Sequence, residues 1–167
     1  MKNKLVVILI FVSLSFVLTL SAKQLWAKSI LGKKTPSLVI EKWLTEVPKT
    51  DGKFVLIDFW ATWCGPCREA ITELNEIHQK LGDTVTVIGI SDESEAEVRA
   101  MRNPVIAYSI AIDPQKRMYS QLQITGIPHV ILVDPKGIVR WEGFPLLEGD
   151  ELNLAVVKKI IAKYSNQ

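Results

Sequence analysis

Residues 54–60 form an apolar run, Phe-Val-Leu-Ile-Asp-Phe-Trp, that is interrupted only by Asp58. Its length and its β-branched residues predict a strand that is buried on both faces. Cys64 and Cys67 follow directly, and apolar side chains then recur at helical spacing from 65 to 81. The chain therefore places two thiols where a buried strand leads into a helix, which requires a sheet with helices packed against it.

The rest of the body alternates between strand and helix patterns. Further strands are predicted at 38–43, 85–90, 107–112, 130–133 and 138–141, and further helices at 92–103, 115–123 and 148–164. Strand–helix–strand units come first, and a hairpin through residues 134–137 followed by a helix comes last. This order predicts an α/β fold with a central mixed β-sheet, helices on both of its faces and a short insert after the second core strand.

The first residues differ in character from everything that follows. Lys2 and Lys4 precede a stretch that is uncharged up to residue 22 and rich in Leu, Val, Ile and Phe. The stretch just reaches the length that spans a bilayer, and its cleavage site is poor, so we expect residues 1–22 to be a membrane anchor or a cleaved export signal. A buried helix of the fold is the third alternative. Residues 23–37 are Lys-rich and are predicted to be a polar tether, which leaves one domain at 38–167.

Charge and cysteine number exclude several classes of protein. Without residues 1–27, 17 basic residues stand against 18 acidic ones, so the body lacks the positive field of a nucleic-acid-binding protein. Two cysteines can build neither the multiple disulfides of a small secreted scaffold nor a four-cysteine zinc site. The four acidic residues between 92 and 97 are interpreted as the solvated start of a helix.

The segment Trp63-Cys64-Gly65-Pro66-Cys67 carries the chemistry. A helix N-terminus stabilises negative charge, so we expect Cys64 to be the reactive thiolate. Cys67 lies one turn further along, close enough to form a disulfide with Cys64. Cys64 would attack a disulfide of another protein, and Cys67 would resolve the mixed disulfide. Half of a metal site and a structural crosslink are the alternatives, but the chain has no second cysteine pair and so short a loop would stabilise little.

The run from Phe54 to Cys67 resembles the active-site segment of the thioredoxin superfamily, and Thr125-Gly126-Ile127-Pro128 resembles its cis-proline loop. Residues 38–165 are most similar to the TlpA/ResA-like membrane-tethered thiol-disulfide oxidoreductases. The resemblance implies a thioredoxin-like fold, a cis bond before Pro128 and a loop whose backbone pairs with the substrate chain. On sequence alone, Pro128 would be an ordinary proline at the start of a strand.

The resemblance also implies a role for Asp58, as a buried carboxylate that accepts the proton of Cys67. Burial would raise the pKa of Asp58 towards that of a thiol; a partly exposed or a hydrogen-bonded structural aspartate is the alternative. The lysine that thioredoxins pair with this aspartate aligns with Gly89. We expect the catalytic residues to be Cys64, Cys67 and Asp58, and the substrate-binding residues to be Trp63, Gly65, Pro66, Ile127 and Pro128.

These features predict an exported, membrane-tethered enzyme that reduces disulfides in proteins, and the resemblance implies that its electrons come from a membrane thiol donor. The domain would lie on the extracytoplasmic (periplasmic or outer) face, or be secreted if the signal is cleaved. The resemblance makes cytochrome c maturation one such duty, because haem attachment requires reduced cysteines. No cofactor beyond the Cys64–Cys67 disulfide and no metal are expected. The alternatives are Cu(I) delivery through the cysteines and His129, and peroxide reduction; His129 is otherwise a strand-start histidine.

Overall fold

The computed structural model describes residues 26–165, so the predicted anchor or signal at 1–22 lies outside the described residues. Within that range, no helix combines the length and the apolar character needed to cross a membrane. The strands are β1 (Lys42–Trp43), β2 (Phe54–Trp60), β3 (Val85–Ser91), β4 (Ser109–Ile112), β5 (His129–Val133) and β6 (Val139–Gly143). The helices are α1 (Gly65–Leu81), α2 (Glu95–Ala100), α3 (Arg117–Leu122) and α4 (Leu154–Tyr164).

The strands form one six-stranded sheet in the order β1-β4-β3-β2-β5-β6. β2, β3 and β4 run parallel to one another. β1, β5 and β6 each pair antiparallel with their neighbours. The parallel strands are joined by α1 and α2, because a parallel connection must cross over the sheet. The predicted mixed sheet is confirmed, and β2 lies near its centre.

Successive side chains of β2 alternate between the two faces of the sheet. Leu56 and Trp60 belong to the core that β2 forms with α1 and α4, whereas Ile57 and Phe59 belong to the core around α3. Helices therefore cover both faces, as predicted. Asp58 lies between Leu56 and Trp60 in this alternation, so its side chain points to the α1 face.

Several elements are shorter than their sequence patterns predict. The final helix begins at Leu154 rather than 148, because the Asn153 side chain caps it by accepting the backbone N–H of Val156. α2 begins at Glu95 rather than 92, because Ser94 is its cap. β1 keeps only two residues. The two helices lose mainly polar residues ahead of their caps, and β1 loses the part of its apolar pattern that finds no partner strand.

Residues 28–35, predicted to belong to a polar tether, lie against the domain. The backbone N–H of Gly32 donates to the carbonyl of Val139, the first residue of β6, at 2.8 Å. The buried carboxylate of Glu142 accepts the backbone N–H of Ile30 at 2.8 Å. A Lys-rich composition indicates exposed side chains but gives no information about backbone pairing, so the folded unit begins earlier than polarity alone suggests.

Candidate active site

Cys64 and Cys67 lie at the N-terminus of α1 and are joined by a disulfide, with their Cα atoms 5.3 Å apart. Cys64 is the N-cap residue, with extended backbone angles, and its Sγ accepts the backbone N–H of Cys67 at 3.2 Å. Both cysteines are buried. A backbone N–H at a helix start thus faces the Cys64 sulfur, which is the arrangement that stabilises a thiolate after reduction.

The turn before Cys64 is held by a carboxylate from the next strand connection. Glu93 accepts the backbone N–H and the hydroxyl of Thr62, both at 2.6 Å, and it also accepts the hydroxyl of Ser91 at 3.1 Å. The prediction that the four acidic residues between 92 and 97 form a solvated helix start is wrong for Glu93, which binds Thr62. Its contact with Thr62 joins residues that are 31 apart, so local spacing carries no signal for it.

Asp58 is fully buried on the α1 face, the face that also carries Cys67. Burial raises the pKa of Asp58 to about 7, and a hydrogen bond from the Tyr108 hydroxyl to Oδ2 at 3.1 Å acts in the opposite direction. Within residues 26–165, Oδ1 has no hydrogen-bond partner. A carboxyl group with this pKa can exchange a proton with a thiol near neutral pH.

The loop before β5 shares an open groove with Trp63, the residue before Cys64. The Ile127–Pro128 peptide bond is cis, as the resemblance implies. Ile127 packs against the core cluster that contains both cysteines, and together with Trp63 it lines an open groove. Trp63 is 72% exposed, Gly65 and Pro66 are exposed at the start of α1, and Pro128 is buried. The structure therefore gathers the predicted substrate-binding residues around one end of α1.

The N-terminal segment reaches the same loop. The carbonyl of Trp26 accepts the backbone N–H of Thr125 at 2.7 Å and its hydroxyl at 3.1 Å. The Trp26 ring lies so close to Gly126 that a Cβ there would come within 2.1 Å of it. No local pattern predicts this contact, because it joins residues 99 positions apart.

His129 lies on the opposite face of the sheet from Cys67. It pairs in register with Phe59, and the two rings lie 6.2 Å apart between centroids. It is buried, at the first position of β5. Across residues 26–165, no group of three His, Cys, Asp or Glu side chains is arranged to hold a metal ion. The Cu(I) alternative requires His129 to act together with Cys64 and Cys67, but His129 lies on the other face of the sheet from Cys67.

Comparisons with known proteins agree with this geometry. Residues 52–139 match the model of a family described as thioredoxin-like. The thioredoxin-like protein YneN of Bacillus subtilis is 30% identical over 94 residues, which cover 53% of this chain and 55% of YneN. The thiol-disulfide oxidoreductase ResA of Bacillus cereus is 30% identical over 119 residues, which cover 67% of this chain and 68% of ResA. The matches therefore span about half of one relative and two thirds of the other.

A solved structure shows the same fold over most of the chain. A protein from Chlorobium tepidum, assigned as the thiol:disulfide interchange protein DsbE, superposes with a TM-score of 0.66 at 25% identity. The superposition covers 79% of this chain and 96% of that one.

Proposed function

The chain belongs to the thioredoxin-like family, with relatives named thiol-disulfide oxidoreductases, and we propose that it reduces disulfides in other proteins. The observation that carries the proposal is the position of Cys64: it caps a helix, receives a backbone N–H from Cys67, and directly follows Trp63, which lines an open groove. The groove lies between exposed Trp63 and Ile127. A disulfide-bearing chain bound in this groove would lie beside Trp63, the residue before Cys64.

The reaction begins with the reduced cysteine pair. The Cys64 thiolate attacks one sulfur of the substrate disulfide, a Cys64–substrate disulfide forms, and the other substrate sulfur leaves with the electron pair and takes up a proton. Cys67 then gives its proton to Asp58 and attacks Cys64, which releases the second substrate sulfur. The substrate gains two electrons, and the protein ends as the Cys64–Cys67 disulfide. A thiol donor of the membrane reduces that disulfide again.

Asp58 is suited to the second step because of its position. It is buried on the same face of the sheet as Cys67, and its pKa of about 7 allows it to accept a proton and later release it near neutral pH. When the proton passes directly to ionised Asp58, the negative charge moves from the carboxylate to the Cys67 sulfur, so the apolar core gains no additional buried charge, which would be costly.

The site of action proposed here is the outer face of a membrane. The basic start and the uncharged stretch to residue 22 support an anchor or an export signal. Reduction of the haem-binding cysteines of an apocytochrome, in cytochrome c maturation, is one duty that fits an exported reductant.

Fractionation of cells that produce the full chain tests the location. An anchored protein sediments with membranes and reacts with a membrane-impermeant thiol reagent, whereas recovery in the cytosol refutes it.

A trapping experiment tests the chemistry. Full-length Cys67→Ala protein, reduced and mixed with a disulfide-linked peptide pair, should retain one peptide on Cys64, visible as a mass increase. The wild-type protein should release both peptides as thiols and end as the disulfide. Cys64→Ala protein is the control, and it should show no corresponding mass increase because it lacks the attacking sulfur. Absence of an adduct on Cys67→Ala protein would refute the proposed exchange.

The reduction potential of the full chain tests the direction of electron flow. A value near or below about −250 mV, measured by equilibration with dithiothreitol, fits a reductant. A value between about −120 and −180 mV would instead indicate an oxidase or isomerase.

A further inference from the structure

Asp58 has an unusual hydrogen-bond partner. Asp58 and Gly89 are register partners on the parallel strands β2 and β3. Tyr108 lies in the segment that leads into β4. Its ring packs against position 89, and its hydroxyl donates a hydrogen bond to Asp58 Oδ2 at 3.1 Å. Tyr108 is only 2% exposed, so the hydrogen bond is enclosed by the core. The partner of the buried carboxylate is thus a neutral hydroxyl.

Gly89 provides the space that the Tyr108 ring occupies. A Cβ at position 89 would lie 3.1 Å from Tyr108 Cε2 and 2.9 Å from Trp60 Nε1, both closer than ordinary van der Waals contact. Glycine inside a strand weakens the strand and often marks the close approach of another group. Here two groups approach position 89: the indole of Trp60, which is nearest, and the ring of Tyr108, whose hydroxyl binds Asp58.

From this geometry we propose that Tyr108 is a positioning residue for the proton transfer between Cys67 and Asp58, and that Gly89 makes its position possible. The inference rests on the proposed thiol-disulfide exchange. Because the Tyr108 hydroxyl holds Oδ2, the other oxygen, Oδ1, is left to take the proton; it has no hydrogen-bond partner in the described part of the chain.

The hydroxyl acts as a donor throughout the resolving step. The S–H bond of Cys67 breaks and its proton passes to Asp58 Oδ1. The Cys67 thiolate attacks Cys64 Sγ, and the substrate sulfur leaves with the electron pair and takes up a proton, so that the cysteines are oxidised and the substrate is reduced. Burial and the Asp58 charge raise the pKa of Tyr108 well above its ordinary value, so the tyrosine keeps its own proton.

Few titratable groups bear on Asp58. Tyr108 faces it directly, and the Cys67 thiol faces the same side from α1 in the reduced protein. Tyr119 lies behind the sheet, and its pKa is raised by burial and by nearby carboxylates, Asp58 among them. The register partners of Asp58 on β3 and β5 are uncharged. Because the Tyr108 hydrogen bond lowers the pKa of Asp58, removal of the hydroxyl should raise it.

The test is a titration of Asp58 in the full chain with the cysteines reduced. Carboxyl ¹³C NMR of aspartate-labelled protein, with Asp58→Asn protein to assign the signal, gives its midpoint without measuring activity. Tyr108→Phe should move the midpoint upward by about one pH unit, as expected for loss of a hydrogen bond to a charged group. The pH profile of the resolving step, followed by release of the second peptide, should move in the same direction.

Tyr119→Phe is the matched control, because Tyr119 is also buried but donates only to backbone carbonyls on the other face of the sheet. It should leave the midpoint of Asp58 in place. Gly89→Ala, which pushes on the Tyr108 ring, should raise the midpoint even if Tyr108→Phe protein fails to fold. An unchanged or lower midpoint in these variants, or an equal shift in Tyr119→Phe protein, would overturn the inference. A wild-type chain that titrates as expected but exchanges no disulfide would instead refute the proposed function.

Discussion

Replacing Asp58 with asparagine should remove a large pH dependence from the stability of the oxidised protein. Asp58 is fully buried, and burial raises its pKa from 3.8 to about 7. Asparagine has nearly the same shape and cannot ionise. The substitution therefore removes the cost of a buried charge while it keeps most of the packing around β2.

The sign of the effect follows from proton binding. Between about pH 4 and pH 7 the unfolded chain has lost the Asp58 proton, whereas the folded protein still holds it, so the free energy of unfolding falls as the pH rises. The two pKa values differ by about three pH units, each worth about 1.4 kcal/mol, which gives about 4 kcal/mol. Above pH 7 Asp58 is ionised in both the folded and the unfolded state, so the folded protein bears the full free-energy cost of the buried charge.

Urea unfolding of the full chain, followed by tryptophan fluorescence, measures this effect. The difference in unfolding free energy between Asp58→Asn and wild-type protein should grow in favour of the variant by about 4 kcal/mol between pH 4 and pH 8. Comparing the two proteins at each pH cancels the contribution of every other titrating group. A difference that stays constant with pH, or that grows in favour of the wild type, would refute the assignment of Asp58 as a buried group with a raised pKa.

Two further substitutions test contacts around the site. Gly89→Ala should destabilise the protein by about 1–3 kcal/mol, because the added methyl group would overlap Trp60 and Tyr108. This loss should outweigh the better strand propensity of alanine, and urea unfolding measures it. Glu93→Gln should destabilise by about 1–2 kcal/mol, because a glutamine has one acceptor oxygen where the carboxylate now accepts two hydrogen bonds from Thr62; thermal unfolding measures it.

Matched controls separate these effects from nonspecific ones. Gly65→Ala adds the same methyl group where nothing lies within 4 Å, so the unfolding free energy should not fall. Glu69→Gln removes an exposed charge from α1 and should leave the thermal midpoint unchanged. If either control loses as much stability as its partner variant, the contacts given for Gly89 or Glu93 are not the cause.

The cysteine pair and its helix could be predicted because their signals are local. The apolar strand, the cysteine spacing and the helical periodicity all lie between 54 and 81, and β2 and α1 have the predicted bounds. The mixed sheet with helices on both faces followed from the alternation of strands and helices, whereas the order of the strands in the sheet came only from the structure. The position of Cys64 at the helix N-terminus was therefore available from the chain alone.

The contacts that hold the site could not be predicted in this way. Glu93 binds Thr62 across 31 positions, Tyr108 binds Asp58 across 50, and Trp26 binds Thr125 across 99. No periodicity links such pairs. His129 illustrates the same point, since its place next to Pro128 suggested proximity to the cysteines, whereas strand alternation turns it to the other face.

The sequence by itself determined which groups meet at the candidate site: two cysteines at a helix start and one carboxyl group in an apolar strand. Only the tertiary structure decided how that carboxyl group is held, because the hydroxyl of Tyr108 comes from the segment before β4 and the space at Gly89 comes from β3. The physical reason lies in the range of the forces. Helix and strand patterns arise from neighbours along the chain, whereas burial and hydrogen bonding of Asp58 depend on groups that meet only after the sheet has formed.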